Sequence, residues 1–127
     1  LVELLAVIVI LAIITAIAVP LIGNLITRTE QSAAAADGNT VYASLRLYAL
    51  ENPTLTDEFD FITEGNRAQA LTDLNTAIGT YISVVPTSIV DITFTVTETN
   101  VEVEVGPNPT INGKAVEWDV NAFVRPD

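Results

Sequence analysis

Residues 1–26 read LVELLAVIVILAIITAIAVPLIGNLI, an apolar run broken only by Glu3 near its start and Pro20 late in its course. No charged residue occurs from Leu4 to Thr27. At about 1.5 Å rise per residue, a helix of that length covers the roughly 30 Å hydrocarbon core of a bilayer. The run exceeds the apolar part of a secretory signal, with no basic stretch before it and no small-residue cleavage site after it. The segment is therefore expected to stay in the working protein. Its Ile- and Val-rich composition forms helix only moderately well in water, so lipid or protein packing is expected to hold it helical.

Two residues depart from a plain anchor. An acid within a membrane segment costs about 2.5–3.5 kcal/mol on insertion scales and usually marks a function. A carboxylate in the first turn is also favoured by the helix dipole, so Glu3 taken alone is better read as an acid at the water interface. Pro20 removes one N–H and crowds the carbonyl of Ala16, which predicts either a kink or short unwound stretch, with Thr15 and Gly23 nearby to absorb it, or a mild bend in an intact helix.

Leu1, Val2, Glu3 and Leu4, followed by the apolar run and Pro20, closely resemble the N-terminal segment of bacterial type IV pilins and the related pseudopilins. The resemblance covers about the first 26 residues. It implies a long N-terminal helix carrying a small α+β head, processing by a prepilin peptidase, and a membrane pool before assembly. It further implies that Glu3 pairs with the N-terminal amine of a neighbouring subunit and that opening at Pro20 lets a filament extend. The motif begins two residues inside the expected mature terminus of that family, and Arg28 alone places the wrong end in the cytoplasm by the positive-inside rule, which a removed basic leader would correct.

The 127 residues leave room for one small head beside a helix of about 50 residues. The expected division is 1–50 for the helix, with 1–27 as membrane or filament-core segment and 28–50 beneath the head, and 51–127 for the head. Sixteen acids against five Lys and Arg give a formal net charge of -11. That balance opposes binding to nucleic acid phosphates or anionic lipid head groups. Without Cys there is no disulfide, and without His or Cys there is neither Ser-His-Asp nor Cys-His catalysis nor a usual zinc site. No catalytic residues, metal or cofactor are expected. Asp57, Glu58 and Asp60 lack the ordered spacing of a calcium loop. The first 41 residues contain no aromatic residue, so a filament core built from them lacks an aromatic path.

Farther along, Val41, Leu45 and Tyr48 recur at helical spacing, with Ala43, Leu47 and Leu50 widening the stripe, so one face is expected to pack under the head. Gly38, within Asp37-Gly38-Asn39, weakens the helix by about 1 kcal/mol and marks either a second curve or a close contact between subunits. The helix is expected to end near Glu51, because Asn52 precedes Pro53. A loop through Phe61 follows, then a short helix over 64–82 with Ala68, Leu71, Leu74 and Ile78 on one face and Thr63 or Asn66 as cap.

Period-two alternation of Ile92, Phe94 and Val96, then Val101, Val103 and Val105, predicts a hairpin turned at Glu98-Thr99-Asn100. Gly106-Pro107-Asn108-Pro109 is expected to break the sheet, and Asn112-Gly113 to turn into a strand with Val116, Trp118 and Val120 inward. The expected head is thus one short helix and three or four antiparallel strands resting on Val41, Leu45 and Tyr48, with Trp118 in the core. As a function this predicts the structural subunit of a type IV pilus, not an enzyme. A pseudopilin of a secretion or DNA-uptake system is the alternative within the same machinery, and an anchored binding module the alternative outside it.

Overall fold

The computed structural model describes residues 1–126, apart from the side chains of residues 18–22. Helix α1 spans Val2–Glu51, β1 Thr56–Asp60, a 3-10 turn Glu64–Asn66, α2 Arg67–Ile78, β2 Ile89–Thr97, β3 Asn100–Ile111, β4 Lys114–Ala115, β5 Glu117–Asp119 and β6 Ala122–Val124. Strands β1 to β4 form one antiparallel sheet in sequence order, and β5 and β6 a separate pair. The class is α+β, as expected. The chain divides into two compact units, Leu1–Glu30 and Gln31–Asp127, so the second part of α1 belongs to the head. The kink or melting expected at Pro20 lies outside the described residues.

The head has one apolar core, to which α1 contributes Ala34, Ala35, Val41, Leu45 and Ala49 and the sheet contributes Phe59, Ile92, Phe94, Val96 and Val101. Val41 and Leu45 are fully buried and Tyr48 packs at the margin, as their spacing predicts. Ala43, Leu47 and Leu50 do not widen that stripe; they are exposed. At 100° per residue they fall on the side of the helix opposite Val41 and Leu45, so the head that covers those two leaves them in solvent. The helix closes where expected, with the Asn52 amide donating to the Tyr48 carbonyl at 3.1 Å.

Asp37-Gly38-Asn39 is the place where the C-terminal strands dock. Gly38 is buried, and a Cβ there would lie 2.5 Å from Ile111 Cδ1 and 2.7 Å from Phe123 Cδ2. Gly38 thus serves contact within the head, which accounts for its close approach without invoking a neighbouring subunit. Asn39 pairs with the Phe123 backbone like a strand: its Nδ2 donates to the Phe123 carbonyl at 3.0 Å, and its Oδ1 accepts from the Phe123 N–H at 2.6 Å. Asp37 Oδ2 accepts from Asn112 Nδ2 at 3.1 Å. Three consecutive residues that weaken a helix locally therefore anchor it globally. Gly38→Val is expected to destabilise the head by about 1–3 kcal/mol through overpacking, and Asn39→Ala by about 1–3 kcal/mol through unpaired Phe123 backbone groups. Chemical denaturation followed by fluorescence of Trp118 measures both, and an unchanged midpoint for either contradicts this docking.

Three expectations for the strands are corrected. The stretch expected as loop through Phe61 contains β1, whose Phe59 lies opposite Phe94 and whose Asp60 lies opposite Thr93. Three acids in five residues hide a strand from propensity, yet an edge strand tolerates them because one side faces water. Gly106 to Pro109 does not end the sheet, because β3 runs through it to Ile111. The ladder shifts between Val90–Thr110 and Ile92–Val105, so the four residues 106–109 oppose Asp91 alone. In that irregularity the prolines need donate no ladder hydrogen bond. Asp91 takes φ 61° and its carboxylate accepts from the Asn108 amide at 3.2 Å.

The third correction concerns the strand after Asn112-Gly113. The turn itself holds, with φ 54° and 79° at its two residues. Beyond it the chain forms two short strands in place of one, Lys114–Ala115 on β3 and Glu117–Asp119 on β6. Val116 is buried and Trp118 half-buried, while Val120 is exposed at φ 57° where the chain reverses.

Helix α2 is shorter than the predicted 64–82. It begins after the 3-10 turn and ends at Ile78, burying Ala70, Leu74 and Ile78, with Leu71 at the margin and Ala68 exposed. Neither Thr63 nor Asn66 caps it through a side chain.

Candidate functional site

Within the unit Leu1–Glu30, the described residues place apolar side chains in water on every side of the helix. Leu4, Leu5, Val7, Ile8, Val9, Ile10, Leu11, Ile13 and Ile14 are all more than half exposed. Consecutive residues differ by 100° around a helix, so this run leaves no polar face. A helix that is apolar all round is one whose surroundings are apolar. Thr15 meets that requirement by donating its hydroxyl to the Leu11 carbonyl at 2.7 Å, which leaves no unpaired side-chain donor there.

Glu3 is exposed in the first turn, one position after the helix begins. Its carboxylate is the sole acid in the apolar run. Gly23 has open space around its Cα, with no atom within 4 Å of an added Cβ. Thr27 and Thr29 donate to the carbonyls four residues before them, at 3.3 and 2.8 Å. Pro20, the remaining predicted assembly residue, lies outside the described side chains. Among the described residues no helix is long and apolar enough to cross a membrane. The uncharged run from Leu4 to Thr27 reaches that length only when residues 18–22 are counted with it.

Of the predicted packing residues, the head gathers all four. Val41 and Leu45 lie in the core, with Tyr48 and Trp118 against it. Trp118 meets Tyr42 edge to face at 5.1 Å and Phe123 at 4.9 Å, so its ring is held on two sides. Its free side lines an open groove of about 710 Å3 with Val105, Pro109, Glu117, Val124 and Arg125. The groove is open, and Glu117, Asp119 and Arg125 line it together with the apolar residues.

The acidic region that raised the question of calcium has a structural use. Asp60 Oδ1 accepts from the amides of Ile62 and Thr63 at 2.9 and 3.1 Å and from the Thr93 hydroxyl at 3.3 Å, and Oδ2 accepts from Asn66 Nδ2 at 3.1 Å. These hydrogen bonds, led by the Thr63 amide, hold its carboxyl far below the ordinary carboxylate range. They fix the turn between β1 and the 3-10 segment that leads into α2. Among the described residues no group of three or more His, Cys, Asp and Glu converges to hold a metal.

A depressed folded pKa means that the native state binds fewer protons, so Asp60 contributes stability above the ordinary carboxylate pKa. That contribution is lost as pH falls below about 4. Asp60→Ala is therefore expected to lower stability at pH 7 and to flatten its decline between about pH 5 and pH 2. Denaturant midpoints for both proteins across that range measure the difference; parallel curves would contradict the role given to Asp60.

Across β2, Asp91 faces Arg67 Nη2 at 3.9 Å, and Arg67 Nε donates to the Phe61 carbonyl at 2.9 Å. The pair ties the start of α2 to the bulge. At the far end of the head, the Tyr81 hydroxyl donates to Glu51 Oε2, which with partial desolvation raises the Tyr81 pKa. Sequence reasoning missed Asp60, Asn39 and Asn112 as organising residues. The one signal available for any of them was the Asn112-Gly113 turn dipeptide.

No protein-family model matches this chain, and no curated protein or solved structure matches it either.

Proposed function

We propose that the chain is a structural subunit, the major one, of a type IV pilus or a closely related extracellular filament. The observation that carries this reading is the first unit: a helix apolar on all sides, with one acid in its first turn, joined in sequence to a small α+β head. A soluble monomer has no use for that much exposed apolar surface. The same surface suits two successive environments, the cytoplasmic membrane before assembly and a bundle of identical helices afterwards.

Moving such a helix from lipid into a helix bundle gains little hydrophobic free energy, because lipid tails are as apolar as Leu. Assembly then depends on close packing and on pairing the charges that enter the bundle. Glu3 supplies one such pair by neutralising the N-terminal amine of a neighbouring subunit, where low dielectric makes an unpaired charge costly. Pro20 and Gly23 provide the place where the helix yields. In this reading the partners are identical subunits, the prepilin peptidase and the assembly machinery, and the chain carries no catalysis and takes no cofactor. The pool awaiting assembly sits in the cytoplasmic membrane, and the product is outside the cell.

Shearing cells and examining the released material by electron microscopy tests this directly. Long filaments in which this chain is the main component are expected. Recovery of the chain only from membranes, as monomers on detergent extraction, would favour an anchored binding module instead.

A further inference from the structure

The surface of α1 that faces away from the head is not a simple solvated face. Ala36, Thr40, Ala43, Leu47 and Leu50 are all exposed there, at alternating spacings of four and three. That alternation averages 3.5 residues, the period of a seam between two helices rather than of a broad amphipathic stripe. Leu47 and Leu50, 51% and 62% exposed, fill neighbouring positions of the seam. Either leucine alone would need no explanation. Two in register on one seam, flanked by opposite charges, do.

We propose that this seam pairs two copies of the chain through their α1 helices, parallel and in register, centred on Leu47 and Leu50. The flanking charges select that arrangement. With Thr40 and Leu47 as the first core position of a heptad and Ala43 and Leu50 as the second, Arg46 precedes the first and Glu51 follows the second. In a parallel in-register pair these are the positions, five residues apart, that face each other across the seam. Arg46 then meets the partner's Glu51, and the contact occurs twice by symmetry. Both residues are exposed; Arg46 lies over its own Tyr42 ring at 5.9 Å, and Glu51 uses Oε2 for Tyr81, which leaves Oε1 for the guanidinium. Antiparallel pairing would set flanking positions of the same kind together, Arg46 toward the partner's Arg46, and loses the match.

The seam is short, and each unit Gln31–Asp127 carries 14 acids against four Lys and Arg, so head repulsion opposes pairing in dilute solution. Membrane anchoring offsets this by giving every copy the same orientation and a high local concentration. To that extent the inference rests on the proposed membrane pool.

Because the chain has no Cys, single-cysteine variants report contact without background. The full chain carrying Leu50→Cys, in vesicles of zwitterionic lipid under mild oxidation, is expected to form a disulfide-linked dimer at least about 5-fold faster than Ala68→Cys on the exposed face of α2. Adding Arg46→Glu to Leu50→Cys is expected to slow cross-linking about 5-fold, and adding Glu51→Arg as well to restore it. Equal rates at Leu50→Cys and Ala68→Cys, or failure of the charge reversal to restore the rate, overturns the pairing. Cross-linking as expected in a chain that yields no filaments leaves the seam standing and refutes the filament reading. Filaments at full yield without cross-linking refute the seam alone.

Discussion

Cells in which Glu3 is replaced by valine are expected to hold the chain in their membranes at normal amounts while the sheared surface fraction loses filaments by at least about tenfold. Removing the acid makes the apolar helix easier to insert, so a defect cannot come from failure to reach the membrane. In the proposed bundle the same substitution would leave a neighbour's amine without its counter-charge. Breaking one partner of a buried pair costs about 3–5 kcal/mol, and each 1.4 kcal/mol is a factor of ten in an equilibrium. Glu3 is exposed and is not part of the head's core, so no change in head stability should accompany the loss. Glu3→Gln separates charge from size, because it keeps the shape and a hydrogen-bonding group; it should behave nearly as Glu3→Val does. Wild-type filament yield from either variant would contradict the pairing.

The second large effect is on the head alone. Phe94→Ala is expected to lower its stability by about 3–5 kcal/mol. Phe94 is fully buried in the middle of β2, opposite Phe59 on one side and Val103 on the other. Its ring meets Phe61 edge to face at 6.4 Å and Phe123 at 6.1 Å, so truncation removes two aromatic contacts as well as the buried area. A small domain has about 5–15 kcal/mol in total, so the variant sits near the edge of folding. The single Trp, against Phe123, gives the signal for a denaturation curve measured on the full chain in detergent. A midpoint within error of wild type would mean that the sheet does not carry the core.

What could be read from sequence follows from how local each signal is. The apolar run, the hairpin around Glu98 and the Asn112-Gly113 turn each depend on residues close in sequence, and the α+β class emerged from those. The strand β1 was invisible because Thr56 to Asp60 becomes a strand only by pairing with β2. Phe59 is the single apolar residue of that strand. The proline-rich 106–109 looked like a break because the Asp91 bulge that accommodates it lies on another strand. Asp37-Gly38-Asn39 was legible only as weak helix, since its partners Asn112, Ile111 and Phe123 are more than 70 positions away.

Glu3 stood out because an acid in an apolar run is anomalous by itself. Leu47 and Leu50 did not, because grouping them with the stripe of Val41 and Leu45 overlooks that at 100° per residue they fall on the opposite side of the helix. Asp60 was noticed as an acid and missed as the residue that holds the turn after β1, because an acid among Asp57 and Glu58 reads as one more solvated charge until its bonds to the Ile62 and Thr63 amides are seen.

Helical reconstruction of filaments sheared from the native cell surface would show what each Glu3 faces. A core of packed helices that accepts residues 1–30 of this chain is expected, with the Glu3 carboxylate of each subunit within hydrogen-bond reach of a neighbour's N-terminal amine and the α+β heads outside. A core made of anything else, or Glu3 facing solvent in an otherwise matching core, would contradict the proposed assembly.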